Sequence, residues 1–219
     1  MSRFKEYDEF EGEPEQILAQ GRWDRNARAV LRSKRGRKAL AEIREALMAL
    51  PEHRLIEGAA CTIGDVETRY PAITDAEMEQ AEAKAREDQI EFNIRTPDYP
   101  ARVARRLREW REDDREAYAR LVEEKGAGVC LVAAYAWYKK VRAGMDPVEA
   151  FTAIPVLGDD DDGDHSRETA DLGEDAGMAF TLAWELGYRN DETYGSKTPE
   201  GRWEAFVAWI DAELAGSAS

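Results

Sequence analysis

A chain of 219 residues, 43% hydrophobic with six Trp, is long enough to bury a core and reads as one domain with an elaboration. Its net charge of -15 counts against a general binder of nucleic acid or anionic membranes, since both would repel it. Two cysteines, Cys61 and Cys130, cannot make a disulfide framework and no charged-then-apolar leader opens the chain, which favours a reducing, cytoplasmic setting.

The first twenty residues are acidic and lack a period, and are expected to form a flexible tail. Order is expected to begin near Ile17, and a single helical domain covers 21–219. In RWDRNARAVLRS the positions Trp23, Ala27, Val30 and Leu31 mark one helix face, and in GRKALAEIREALMAL the set Leu40, Ile43, Leu47 and Leu50 repeats the helical period until Pro51. SKRG reads as the turn between these helices. RLIEGAACTIGD, with small residues and Gly at both bends, reads as a strand or extended turn.

Thr74 and Glu77 predict a capping box and a helix from Asp75 to about Phe92. Thr96 and Pro97 open another, with Val103, Leu107, Trp110, Ala117 and Leu121 along one stripe. Together these make a charged helical hairpin. Residues 129–138 are apolar almost all round, as in a centrally packed helix, yet are only about half of the roughly 20 residues a membrane span needs. Asp146 and Pro147 start a short helix; GMAFTLAWELGY is a helix closed by Gly187; Thr198 and Pro199 begin the last, striped by Trp203, Phe206, Val207, Ile210 and Leu214. The fold class is all-α, with at most one tiny two-stranded β ladder.

The segments RWDRNARAVLRSKRGRKALAEIREALMALPEHRLIEG, GVCLVAAYA, AGMAFTLAWELGYRND and TPEGRWEAFVAWI, in that order, resemble a family of small proteins encoded by bacteriophages of actinobacteria and some proteobacteria, and by related prophages. The family brings no activity with it. In such proteins the counterpart of RLIEGAAC is followed after a short turn by the counterpart of GVCLVAAYA. The resemblance therefore implies that residues 65–127 are an inserted helical hairpin and that Leu55 to Cys61 lies beside Gly128 to Cys130.

Chemistry finds little support. GDDDDGDHSRETADLGEDAG, from Gly158 to Gly177, fits no register of the calcium loop that needs acids at positions 1, 3 and 5, Gly at 6 and Glu at 12. It reads instead as a solvated loop of net charge -8 over 158–176, leading into a helix at Met178. Cys61, Cys130, His53 and His165 show no zinc spacing, and there is no phosphate loop, no G-x-S-x-G and no Cys-His motif. No cofactor and no metal site is expected.

Three surfaces are candidate contacts. The basic run places Arg22, Arg25, Arg28, Arg32, Lys34, Arg35, Arg37 and Lys38 within seventeen residues. It suits phosphates, or else faces the acidic blocks of this molecule or of a second copy. The second surface is the hairpin, represented by Glu79 and Glu82; the third is Asp159, Asp160, Asp161 and Asp162 in the acidic stretch. As a DNA imitation the helix from Asp75 is thin, with net -5 over ~26 Å where a duplex presents about fifteen charges. The expected function is non-enzymatic binding of a host macromolecule, a host protein or complex, as in counter-defence or host takeover, with no membrane partner. Two alternatives stand beside it: a nucleic-acid-associated regulator using residues 22–38, and a metal-dependent enzyme using residues 159–164.

Overall fold

A computed structural model describes residues 25–57, 61–156, 165–191 and 198–216. Ten helices carry these residues: α1 (25–32), α2 (Lys34–Ala49), α3 (Val66–Arg69), α4 (Asp75–Glu91), α5 (Tyr99–Lys125), α6 (Leu131–Arg142), α7 (Pro147–Thr152), α8 (His165–Asp175), α9 (Phe180–Asp191) and α10 (Pro199–Ala215). The fold is all-α, and no described helix is long and apolar enough to cross a membrane.

The core is built around α6. Its seven consecutive side chains from Leu131 to Trp137 are buried, which one flank of a helix could not achieve, and α2, α7, α8 and α9 pack around it while α10 closes over α2. Leu40, Ile43 and Leu47 of α2, Leu182, Ala183 and Leu186 of α9, and Phe206 and Ile210 of α10 complete the apolar cluster. Trp137 stacks on Phe151 at 4.6 Å and donates its indole N–H to the Pro147 carbonyl at 3.0 Å, so α6 positions α7. Asn190 is fully buried and satisfied twice: it donates to the Ile56 carbonyl at 2.7 Å and accepts from the Leu131 N–H at 3.1 Å.

The expected neighbourhood of Leu55 to Cys61 and Gly128 to Cys130 is present. Val129 forms a parallel bridge with Leu55 and an antiparallel bridge with Cys61, joined by bonds from Ile56 N–H to Val129 O (3.0 Å) and Thr62 N–H to Gly128 O (2.8 Å). These are single-residue bridges on both sides of Val129, in place of the expected two-stranded ladder. The chain thus leaves for α3, α4 and α5 and returns at adjoining points.

The hairpin is an arm. α4 packs chiefly on α5, and α5 meets the body at its C-terminal half through α3. At this root Tyr118 donates to the Gly64 carbonyl (2.8 Å), Arg111 to the Pro71 carbonyl (2.9 Å), and Arg115 to Glu67 and the Tyr70 carbonyl. Arg69 fastens the root to the body by donating to the carbonyls of Phe151, Thr152, Ile154 and Cys61 at 2.7–3.0 Å. The Thr74–Glu77 capping box forms as expected and sets the start of α4.

Four expectations are corrected. The α1–α2 connection is a break at Ser33 alone: its hydroxyl donates to Val30 O (2.7 Å) and accepts from Gly36 N–H (3.0 Å), which draws the rest of SKRG into the first turn of α2. A Cβ at Gly36 would lie 1.9 Å from Val30 O, so this crossing requires glycine. α5 starts at Tyr99, with Thr96 and Pro97 in the preceding turn, and Trp110 and Ala117 face solvent while Ala104 and Tyr118 are buried.

Gly187 does not end its helix, which continues to Asp191. Residues 165–175, expected to be solvated loop, form α8, with Ala170 buried against the core. Both corrections have one cause: a Cβ at Gly173 would lie 2.4 Å from the Ala183 Cβ, and one at Gly187 would lie 2.9 Å from the Thr169 Cγ2, so the two glycines let α8 and α9 touch closely.

Candidate binding surfaces

The α1–α2 elbow carries the basic run. Arg25, Arg28, Arg32, Lys34, Arg35 and Lys38 are exposed, and among the described residues only Lys38 has an ion pair, with Glu42 at 3.7 Å. The acidic blocks 1–21 and 159–164, which this run is expected to face in one reading, lie outside the described residues. Arg37 differs from the others: it is half-buried and donates to the Leu214 carbonyl at 3.0 Å, which ties α2 to the end of α10 and takes it out of the contact set. Arg22 lies outside the described residues.

Arg35 and Lys38 help line a cleft of about 280 Å³ with Ser33, Glu42, Tyr135 and Lys139, against an apolar wall that includes Met178 and Leu182. Glu42 sits among cations and a phenol: Tyr135 donates to it at 3.1 Å and Lys139 at 3.2 Å. Burial alone would raise the Glu42 carboxyl, but Lys139, Tyr135 and Lys38 outweigh it and hold the group below the usual carboxylate range. The Tyr135 phenol is pushed up to about 12, by burial first and then by the Glu42 carboxylate that accepts its hydrogen bond. The residues from α6 could not be found from sequence pattern, because an all-round apolar helix does not show which turn faces a basic elbow.

On the arm, Glu79 is exposed and Glu82 is half-buried, paired with Arg86 at 2.9 Å one turn on. Sequence reasoning missed the arm's apolar surface. Ile90 is 83% exposed, Phe92 68% and Trp110 55%, three of the five large hydrophobic side chains that the described residues leave in solvent. Ile90 and Phe92 sit at the tip, where α4 ends and the chain turns back. Arg106 lies over the Trp110 ring at 5.3 Å.

Asp159, Asp160, Asp161 and Asp162 lie outside the described residues. Among the described residues no group of three His, Cys, Asp or Glu side chains is placed to hold a metal ion. Cys61 and Cys130 are both buried and unbridged; burial raises the Cys61 thiol, which suits a packed side chain and not a nucleophile. His53 is exposed and stacks on Trp203 at 4.4 Å.

No family model matches the chain, and no curated protein or solved structure matches it either.

Proposed function

We propose that this protein acts by binding, without chemistry of its own, and that it engages a macromolecule of a host cell through the tip of its arm. The observation that carries this reading is the pair Ile90 and Phe92, exposed at the end of a hairpin that contributes little to the core. Exposed apolar groups at such a tip cost nothing to bury again in a partner's pocket beyond ordering them, and aromatic anchors dominate binding energy at interfaces. The resemblance to phage-encoded proteins directs attention to host machinery, a defence complex first.

The test is affinity capture from nuclease-treated host lysate with the wild type and with Ile90→Ser/Phe92→Ser. A protein retained by the wild type and lost with the double variant supports the reading; identical capture by both chains contradicts it.

A second reading is favoured by the elbow, where Arg25, Arg28, Arg32, Lys34 and Arg35 are exposed and form no ion pair among the described residues, in a chain of net charge -15. Uncompensated positive charge of this density suits a phosphate backbone. A salt-sensitive gel shift abolished by Arg35→Glu/Lys38→Glu, with tip variants unaffected, would place nucleic-acid binding there.

A further inference from the structure

We infer that α5 carries a self-complementary face on which two copies of this chain pair antiparallel through their arms. The charges of α5 are segregated along its length. Residues 99–108 hold Arg102, Arg105, Arg106 and Arg108 and no acid; residues 109–116 hold five acids, and the two arginines among them, Arg111 and Arg115, are turned to the arm's root. Arg102, Arg105 and Arg106, followed by Glu112, Asp113 and Glu116, are all exposed, and none forms an ion pair within the described residues.

Their spacing places them on one stripe. From Arg102 the steps to Arg105, Glu109, Glu112 and Glu116 alternate three and four residues, the seam along which helices pair, with Arg106 and Asp113 beside it. α4 and the body occupy the opposite flank, where Ala104 and Tyr118 are buried. Within one chain Arg102 and Arg106, and likewise Glu112 and Glu116, are like charges one turn apart and repel.

A two-fold axis at residue 109 relieves this repulsion. Arg102 then faces Glu116 of the second copy, Arg105 faces Glu112, and Arg106 faces Asp113, each pair occurring twice, as a closed isologous interface demands. Trp110, exposed and capped by Arg106, flanks the axis and gains cover beside these pairs. Glu109 falls at the axis with Arg105 one turn away in its own helix. The bodies are then held apart: from residue 109 to Tyr118, at the root of the arm, is ~13.5 Å at 1.5 Å per residue, so the two Tyr118 positions are roughly 27 Å apart along the helices. That exceeds the ~8 Å screening length at physiological salt, so the net charge of each body does not oppose the pairing of adjacent groups. This face is separate from the tip residues on which the host-partner reading rests.

The experiment measures the mass of the full chain in solution by sedimentation equilibrium, at low and high ionic strength. The wild type is expected at twice the chain mass in low salt, dissociating as salt rises. Arg102→Glu/Arg105→Glu/Arg106→Glu makes the stripe wholly acidic and Glu112→Lys/Asp113→Lys/Glu116→Lys makes it basic on both sides of Glu109. Each alone is expected at one chain mass, and an equimolar mixture is expected to regain twice the mass as a heterodimer. Helix content by circular dichroism checks that each variant folds; should one fail, the corresponding Gln and Asn substitutions, expected to weaken pairing without reversing it, take its place. A wild type of one chain mass in low salt, a dimer indifferent to both charge reversals, or a mixture that stays monomeric overturns the inference.

Discussion

In the body, α6 buries seven consecutive side chains among its twelve residues; in the arm, α4 buries Ala85 alone among seventeen. The first helix owes its order to packing, and its neighbours hold it on every side. The second is ordered by what lies within the arm: the Thr74–Glu77 box, the pairs Lys84–Asp88 and Arg86–Glu82 one turn apart, and a seam against α5. Burial on the scale of α6 is worth far more than caps and surface pairs, which contribute tenths to about 1 kcal/mol each. The contrast separates a part that carries stability from a part free to carry contacts.

The largest expected effect lies in the body. Leu47→Ala, at a fully buried position, should cost ~2–5 kcal/mol by denaturant titration, whereas Ile90→Ala on the arm should change global stability by less than ~0.5 kcal/mol. Equal losses would dissolve the distinction. Next comes the link between the two parts. Arg69→Met removes a guanidinium that donates to four carbonyls, and should cost ~2–3 kcal/mol, with the root of the arm exchanging its amides faster.

Titration gives a third contrast. Tyr135 keeps its proton in the folded body up to about 12, while an unfolded tyrosine loses it near 10.0, so the stability it contributes is complete below 10.0 and fades as pH rises towards 12. Tyr135→Phe should flatten the alkaline limb of the stability curve measured by thermal melting; an unchanged limb would remove Tyr135 from the account. Acid does not separate the two parts, because Glu42 in the body and Glu77 in the arm are both held below the carboxylate range, Glu77 by the Thr74 N–H and hydroxyl. The smallest effect belongs to the cap: Thr74→Ala should cost about 1 kcal/mol, expressed as fraying of α4 in amide exchange with little change in the global midpoint.

Much of this was legible because local chemistry and tertiary packing agree. The capping box fixed the start of α4, the all-round apolar run marked α6 as central, and Thr198 with Pro199 opened α10 as expected. The resemblance placed Leu55 beside Val129, which no periodicity could have done. The misreadings share a physical origin in contacts between distant segments. α8 is acidic enough to pass for a loop, and its helix depends on small residues meeting Ala183. Gly187, a stop signal by composition, is a packing residue. Trp110 has the spacing of a core residue on a helix whose buried flank turned out to be Ala104 and Tyr118. Charge totals hid the rest: a nearly neutral block of sequence contains four arginines at one end of α5 and five acids in the middle.

Native-state hydrogen exchange of wild type and Leu47→Ala tests the division between body and arm most directly. Amides of α2 and α6 are expected to exchange only through global unfolding and to shift together in the variant, while those of α4 exchange at lower free energy and stay where they were. Should the amides of α4 exchange with the global opening and move in step with α6 when Leu47 is truncated, the arm would be part of the cooperative core, and its reading as an independent contact element would be wrong.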